Sequence, residues 1–214
     1  MIPYLGDDLS FPSVDSATSR GIVAIGGDLT PDRLVLAYNS GIFPWFNPGD
    51  PIIWWSLDPR LVLFPDKLKI SKSMRSLLNK NAFQVTYNQS FSKVITSCQK
   101  AAREGQNGTW ITDEMKQAYI HLHQLGYAHS VEVWEDEELV GGLYGVRIGD
   151  VFCGESMFTN KSNASKYGFI SFVEKAKKEG LKLIDCQQET QHLRSLGAES
   201  ISRKKYIEIL SKWK

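Results

Sequence analysis

The segment Gly41-Ile42-Phe43-Pro44-Trp45-Phe46-Asn47-Pro48-Gly49-Asp50-Pro51-Ile52-Ile53-Trp54-Trp55-Ser56 constrains this chain more than any other. It holds three of the six tryptophans, with two phenylalanines beside them. Three prolines and two glycines interrupt it, so it cannot be one regular helix or a central strand. Rigid aromatics on irregular backbone either cement two subdomains or offer a platform to a flat or apolar ligand. Composition leaves both readings open.

The rest of the sequence bounds the choice. A chain of 214 residues suits one domain, or a large and a small one sharing an interface. Its 42% hydrophobic content is enough for a substantial core. A formal net charge of +1 gives no whole-molecule field to hold nucleic acid, so such binding needs a local patch. No apolar run reaches membrane-spanning length, and the start lacks the order of a signal peptide. Three widely spaced cysteines, Cys98, Cys153 and Cys186, point to a reducing compartment and the cytoplasm, and away from a cysteine metal site.

Periodicity and caps predict the elements. Ile22–Ile25 reads as a strand, and Thr30, Pro31 and Gly41 delimit a helix from Pro31 to about Ser40. Asp58-Pro59-Arg60 marks a boundary between a small N-terminal α/β domain, 1–58, and a larger domain, 59–214. In the larger part, strands are expected at Leu61–Phe64 and Phe83–Tyr87, and helices at Ser71–Leu78, Phe91–Arg103 and Thr112–Leu125. A meander of strands comes next: His129–Glu135, Glu138–Ile148 and Val151–Phe158. Asn163 or Ser165 opens a helix ended by Gly180, Leu181–Gln187 is a short strand, and Ser202 caps a last helix, Arg203–Trp213. That order is α/β (α+β), a mixed, largely antiparallel sheet with helices packed on it.

Two strands carry acids in apolar surroundings: Gly154-Glu155-Ser156-Met157-Phe158 and Leu183-Ile184-Asp185-Cys186-Gln187. Asp185 and Gln187 share one strand face, and if the two strands are neighbours, Glu155 and Asp185 converge. Buried acids demand a cation or donors; they form a site, or a structural pair satisfied by backbone or an arginine. The histidines form no metal site: His121 and His123 sit about 200° apart around a helix. No serine or cysteine has the setting of a nucleophile, and Cys186 reads as a small core residue. Lys67, Lys69, Lys72, Arg75 and Lys80 form a basic cluster, and Gly108-Thr109-Trp110-Ile111-Thr112 offers another tryptophan at a helix mouth. Basic residues beside stacking aromatics suit a single-stranded nucleic-acid end, although a charge run is more often a solvated face.

Gly26-Gly27-Asp28-Leu29, Gly41 to Phe46, Trp54-Trp55-Ser56, Gly108 to Thr112, Gly154 to Phe158 and Leu183 to Gln187, in this order, resemble the leucyl/phenylalanyl-tRNA–protein transferase family. The likeness runs from about Gly21 to the end. It implies an acetyltransferase-like (GNAT-type) C-terminal domain, and transfer of Leu or Phe from aminoacyl-tRNA to a protein beginning with Arg or Lys, marking it for N-end rule degradation. It implies an adenosine platform at Trp45, Trp110, Tyr38 and Tyr119, and an aminoacyl side-chain pocket at Leu143, Phe152, Met157, Phe172 and Ile184. The catalytic and peptide-binding group would be Glu155, Asp185 and Gln187, with Lys72, Arg75 and Lys80 as candidates for tRNA phosphate. No metal, cofactor or membrane is expected, and the chain is expected to be a monomer.

Physical chemistry adds conditions to the resemblance. Strict alternation puts Phe152 and Met157 on opposite faces, so both line one pocket only if a bulge intervenes, with Gly154 the place for it. The donor is an activated ester and the nucleophile an α-amine with pKa about 7.7–8.0, so positioning does most of the work. Asp185 is expected to hold and polarise the amine through Gln187, and Glu155 to attract the acceptor's basic side chain. An acyl-CoA acetyltransferase is the first rival, but Arg194-Ser195-Leu196-Gly197-Ala198-Glu199 ends a pyrophosphate-loop pattern in a carboxylate. A non-catalytic RNA-end or peptide-binding module is the second.

Overall fold

The computed structural model describes residues 1–101 and 109–213. Ala102 and Arg103 of the expected third helix, and Gly108 of the tryptophan motif, lie outside the described residues. The elements run β1 (Tyr4–Leu5), β2 (Ile22–Gly26), α1 (Pro31–Asn39), β3 (Phe43–Pro44), β4 (Ile53–Trp55), β5 (Arg60–Leu63) and α2 (Lys72–Asn79). Next come β6 (Gln84–Tyr87), α3 (Phe91–Lys100), α4 (Asp113–Gln124), β7 (Ala128–Glu135), β8 (Glu138–Ile148) and β9 (Val151–Thr159). The chain closes with α5 (Ala164–Lys178), β10 (Leu183–Gln187), α6 (Gln191–Ser195), β11 (Glu199–Ile201) and α7 (Arg203–Trp213).

The strands form a four-stranded sheet, β1-β2-β4-β3, and a seven-stranded one, β11-β5-β10-β9-β8-β7-β6. The larger is antiparallel except where β10 pairs parallel with β9, the crossover being α5. This is the mixed α/β architecture expected, and among the described residues no helix is long and apolar enough to cross a membrane. The aromatic segment differs from the expectation of a loop. Its tight middle, Pro48 and Gly49, lets β3 fold back on β4, and β4 pairs with strands on both sides.

Side-chain alternation splits the interior in two. On β5, Val62 enters one apolar layer while Leu61 and Leu63 enter the other. The first layer joins the small sheet, α1, α3, α4 and α7, so the tryptophan segment cements the two sheets. The second lies under α2 and α5.

Of the three bulges in the larger sheet, two bear on its centre. β8 and β9 are in register until Gly145 faces Gly154, and then Tyr144 faces Ser156, leaving Glu155 as the extra residue. On β10, Asp185 faces Val62 and Gln187 faces Leu61, with Cys186 left over. The bulge expected near Gly154 is therefore present, and a second sits opposite it. The first depends on Gly145, where an added Cβ would lie 2.2 Å from the Cys153 carbonyl oxygen and 2.6 Å from the Phe152 ring. Gly145→Ala is therefore expected to lower stability by about 1–3 kcal/mol, read as a shifted urea midpoint at unchanged slope.

Candidate active site

Pairing between β9 and β10 stops at Cys153 and Asp185, although both strands continue. Beyond that point they part, and a cavity of about 490 Å³ opens between them, walled by Gly154 to Met157 on one side and Asp185 to Gln188 on the other. One face is apolar: Leu143, Phe152, Met157, Phe169 and Ile184. The other face carries Trp45, Trp110, Tyr144 and Glu155. Both Phe152 and Met157 reach the cavity because the Glu155 bulge breaks the alternation between them.

Gln187 ties the two acids together. Its backbone N–H donates to Asp185 Oδ1 at 2.9 Å, and its side-chain Nε2 donates to Glu155 Oε1 at 2.9 Å. Its φ of +59° is a left-handed value that L residues avoid at a cost of about 1–3 kcal/mol, and such residues gather at functional sites.

Asp185 is not free to meet substrate. It is fully buried and accepts two hydrogen bonds from Arg60, at 2.8 and 2.6 Å, and one from the Tyr206 hydroxyl at 2.9 Å. Arg60 is itself buried between the rings of Phe43 and Tyr206, 4.6 and 4.7 Å from their centroids. Burial works against its charge, and the Asp185 carboxylate outweighs burial and holds the guanidinium protonated. Its oxygens are taken by Arg60, Tyr206 and the Gln187 N–H, which agrees with the expectation that Asp185 meets the amine only through Gln187. The arginine that a buried acid demands stands at the start of β5, 125 residues away in sequence, where it reads only as a boundary.

Glu155 is the acid that faces the cavity, and it is partly exposed there. It accepts hydrogen bonds from Gln187 and from the Tyr119 hydroxyl, the latter at 3.1 Å. Burial pushes its carboxyl up to about 7; Tyr38, Tyr119 and Gln187 oppose the rise, and the Asp185 charge adds to it.

The remaining expected residues divide. Trp45 and Trp110 line the cavity and are partly buried, and Trp45 is braced by Trp55, whose Nε1 donates to the Trp45 carbonyl. Tyr38 and Tyr119 do not line it. They are fully buried, hydrogen-bonded to each other behind Glu155, and present no face to a base; they steady the carboxylate instead. Leu143, Phe152, Met157 and Ile184 line the apolar wall. Phe172 stands behind it, its ring 4.5 Å from that of Phe152, and lines a separate cavity of about 170 Å³; Phe169, one turn earlier, takes the place expected for it. Lys72 and Arg75 on α2, and Lys80 just after it, are exposed, and none lines the cavity. Sequence reasoning missed Arg60, Tyr206 and Phe169. The spacing of Ser165, Phe169 and Phe172 on α5 was the available signal for the third.

Arg194, in the rival pyrophosphate-loop pattern, is bound to Glu189, and Glu199 to Lys67. Neither is arranged as a phosphate cradle.

The family model described as leucyl/phenylalanyl-tRNA protein transferase matches residues 62–211, and the one described as its N-terminal domain matches 27–58. A leucyl/phenylalanyl-tRNA–protein transferase of Flavobacterium johnsoniae is 60% identical over 97% of this chain and 98% of that protein. One of Christiangramia forsetii is 57% identical over 97% and 99%. Among solved structures, a GCN5-related N-acetyltransferase from Kribbella flavida overlaps 80% of this chain and 61% of that one, at 10% identity and a TM-score of 0.39. That overlap is too loose to argue from. The two family models and the near full-length relatives agree, and the chain belongs to the leucyl/phenylalanyl-tRNA–protein transferase family.

Proposed function

We propose that this aminoacyltransferase moves a leucyl or phenylalanyl group from the 3′ end of aminoacyl-tRNA to the α-amine of a protein beginning with Arg or Lys. The reaction is one for the cytoplasm, by a monomer that needs no cofactor, with 1–58 as a small domain completing the site built on 59–214. The observation that carries this reading is Gln187 bridging Asp185 and Glu155 at the edge of an apolar cavity. The side chain of the aminoacyl group fits among Leu143, Phe152, Met157, Phe169 and Ile184. Terminal adenosine fits against Trp45 and Trp110.

The chemistry comes from the two acids having different surroundings. The acceptor's α-ammonium, with pKa about 7.7–8.0, is drawn to the Glu155 carboxylate. An acid raised to about 7 is well matched to take its proton and leave a neutral amine. Asp185, neutralised by Arg60, holds the strained Gln187 so that its amide fixes the Glu155 carboxylate. Attack on the ester carbonyl then needs no enzyme-bound acyl group.

The test is a transfer assay with purified protein, tRNA charged with labelled leucine, and peptides beginning with Arg, Lys or Ala. Label is expected on the first two and not the third; label on none, or on all equally, overturns the reading. Trp110→Ala is expected to weaken binding of a non-hydrolysable aminoacyl-adenosine by about 1–3 kcal/mol, measured by calorimetry.

A further inference from the structure

The second cavity, of about 170 Å³, lies behind Phe152 and takes no part in the proposed transfer. Strand register places its floor. On β8, Leu143, Gly145 and Arg147 alternate onto one face, and Leu143 on that face belongs to the apolar layer under α5. Arg147 stands directly across from Phe152 on β9, and Gly145 directly across from His129 on β7. Directly opposed side chains start about 4.5–5.5 Å apart and diagonal ones about 7–8 Å, so Arg147 is within reach of both Phe152 and His129. α5 and the residue after it cover them with Phe172, Lys175, Ala176 and Glu179.

The charges in this lining do not balance. Lys175 is paired with Glu179, the one acid in the lining among the described residues. Arg147 has no carboxylate partner among the described residues: its Nε donates to the Gly149 carbonyl at 2.9 Å, and both Nη groups are left over. His129 supplies another donor. The Ser130 N–H donates to Asn88 Oδ1 at 2.9 Å, which turns Asn88 Nδ2 toward His129 Nδ1 at 3.1 Å. That ring nitrogen accepts, so the imidazole proton stands on Nε2. Burial and the Arg147 charge lower the tendency of His129 to take a second proton. A guanidinium fork without its counterion is matched by one planar carboxylate. The apolar atoms of Phe152, Phe172 and Leu181 beside it suit an apolar body on that carboxylate.

Phe152 links this cavity to the site. It lines both cavities, and the Phe172 ring lies 4.5 Å from its own. What fills the space behind the Phe152 ring decides how far the ring can retreat when a large side chain enters the aminoacyl pocket.

We propose that this cavity is a second binding site, for a small carboxylate with an apolar body held on Arg147, and that its occupant narrows the aminoacyl pocket against phenylalanyl through Phe152. The binding half stands on the cavity itself; the narrowing rests on the transfer reaction proposed above.

The test titrates the full-length chain with 4-methylpentanoate and with 4-methylpentanamide, its neutral counterpart, followed by heteronuclear NMR. The carboxylate is expected to saturate with a Kd of about 1 mM or tighter, shifting the backbone N–H signals of His129, Arg147 and Lys175. The neutral compound is expected to bind at least about tenfold weaker, and Arg147→Gln to weaken the carboxylate by at least about tenfold. The binding half is overturned if nothing saturates, if the two compounds bind alike, if Arg147→Gln binds like wild type, or if the shifts fall at Leu143, Met157 and Ile184 instead. The comparison of the two compounds needs no variant, so it decides even if Arg147→Gln fails to fold. Transfer is then measured with saturating 4-methylpentanoate. The kcat/KM for phenylalanyl-tRNA, divided by that for leucyl-tRNA, is expected to fall at least about threefold in wild type and to stay level in Arg147→Gln. A ratio that holds with the site saturated, or that falls equally in Arg147→Gln, overturns the narrowing. Should wild type transfer neither group, the functional reading fails, and the titration still decides the site.

Discussion

Asp185→Ala is expected to damage the fold as well as the reaction, lowering stability by about 3–5 kcal/mol. The carboxylate is fully buried and accepts from Arg60, Tyr206 and the Gln187 backbone. Removing it strands a guanidinium whose Nη1 already lacks a partner among the described residues and whose two faces are covered by Phe43 and Tyr206. Its hydrogen bonds to a carboxylate all go to Asp185 among the described residues, so its charge loses its counterion. The same loss frees Gln187 from its left-handed conformation, and with it the amide that fixes Glu155. Equilibrium urea unfolding with the transfer assay checks both halves. The double variant Arg60→Met, Asp185→Leu separates them: it is expected to recover much of the stability, because no charge is left unpaired, and none of the transfer. Recovery of transfer would show that the pair is scaffolding only. A wild-type urea midpoint for Asp185→Ala would show that Asp185 is not held as described.

How much of this is legible in the sequence depends on the range of the interactions. The caps are local and readable: Thr112 accepts from Met115 N–H and opens α4, and Ser202 accepts from Lys205 N–H and opens α7. Ser71 and the strand alternation of β7 to β9 are equally local. Asn163 does open α5, but with φ +68° and no side-chain cap bond, so its type and not its chemistry marks the place. The expected helix through Arg103 stops at Lys100, where Ala101 turns extended. β11 and α6 escape notice because three and five residues are too few for a period to register. The site divides the same way. A bulge near Gly154 comes from asking two side chains to share a face. That its extra residue is Glu155, and that the Asp185 carboxylate is bound by Arg60, depends on pairings up to 125 residues apart, which no local pattern encodes.

Glu155→Gln is expected to have the opposite profile: transfer falls by about 10²–10⁴-fold while the fold grows more stable. The wild-type carboxyl is raised from 4.5 to about 7 in the folded chain, chiefly by burial. A group whose folded pKa lies above its unfolded one contributes stability that is fully present below the unfolded value and lost as pH rises through the folded one. Wild-type stability should therefore decline between about pH 4.5 and 7, while the glutamine variant, with nothing to ionise, stays level across that window. The curves should coincide near pH 4 and differ by about 1–3 kcal/mol near pH 8, the lower figure allowing for the part of Glu155 that faces the open cavity. The neutral amide keeps the existing bonds, since Gln187 can turn its own amide to offer oxygen. Activity supplies the second reading. Wild-type kcat should climb through about pH 7 as Glu155 loses its proton, and that limb should be missing from the residual activity of the variant. Identical pH–stability curves for the two proteins would remove the raised carboxyl from the argument. An unchanged rate would remove Glu155 from the reaction, and with it the reason for two bulges that aim one acid into a cavity and bind the other to an arginine.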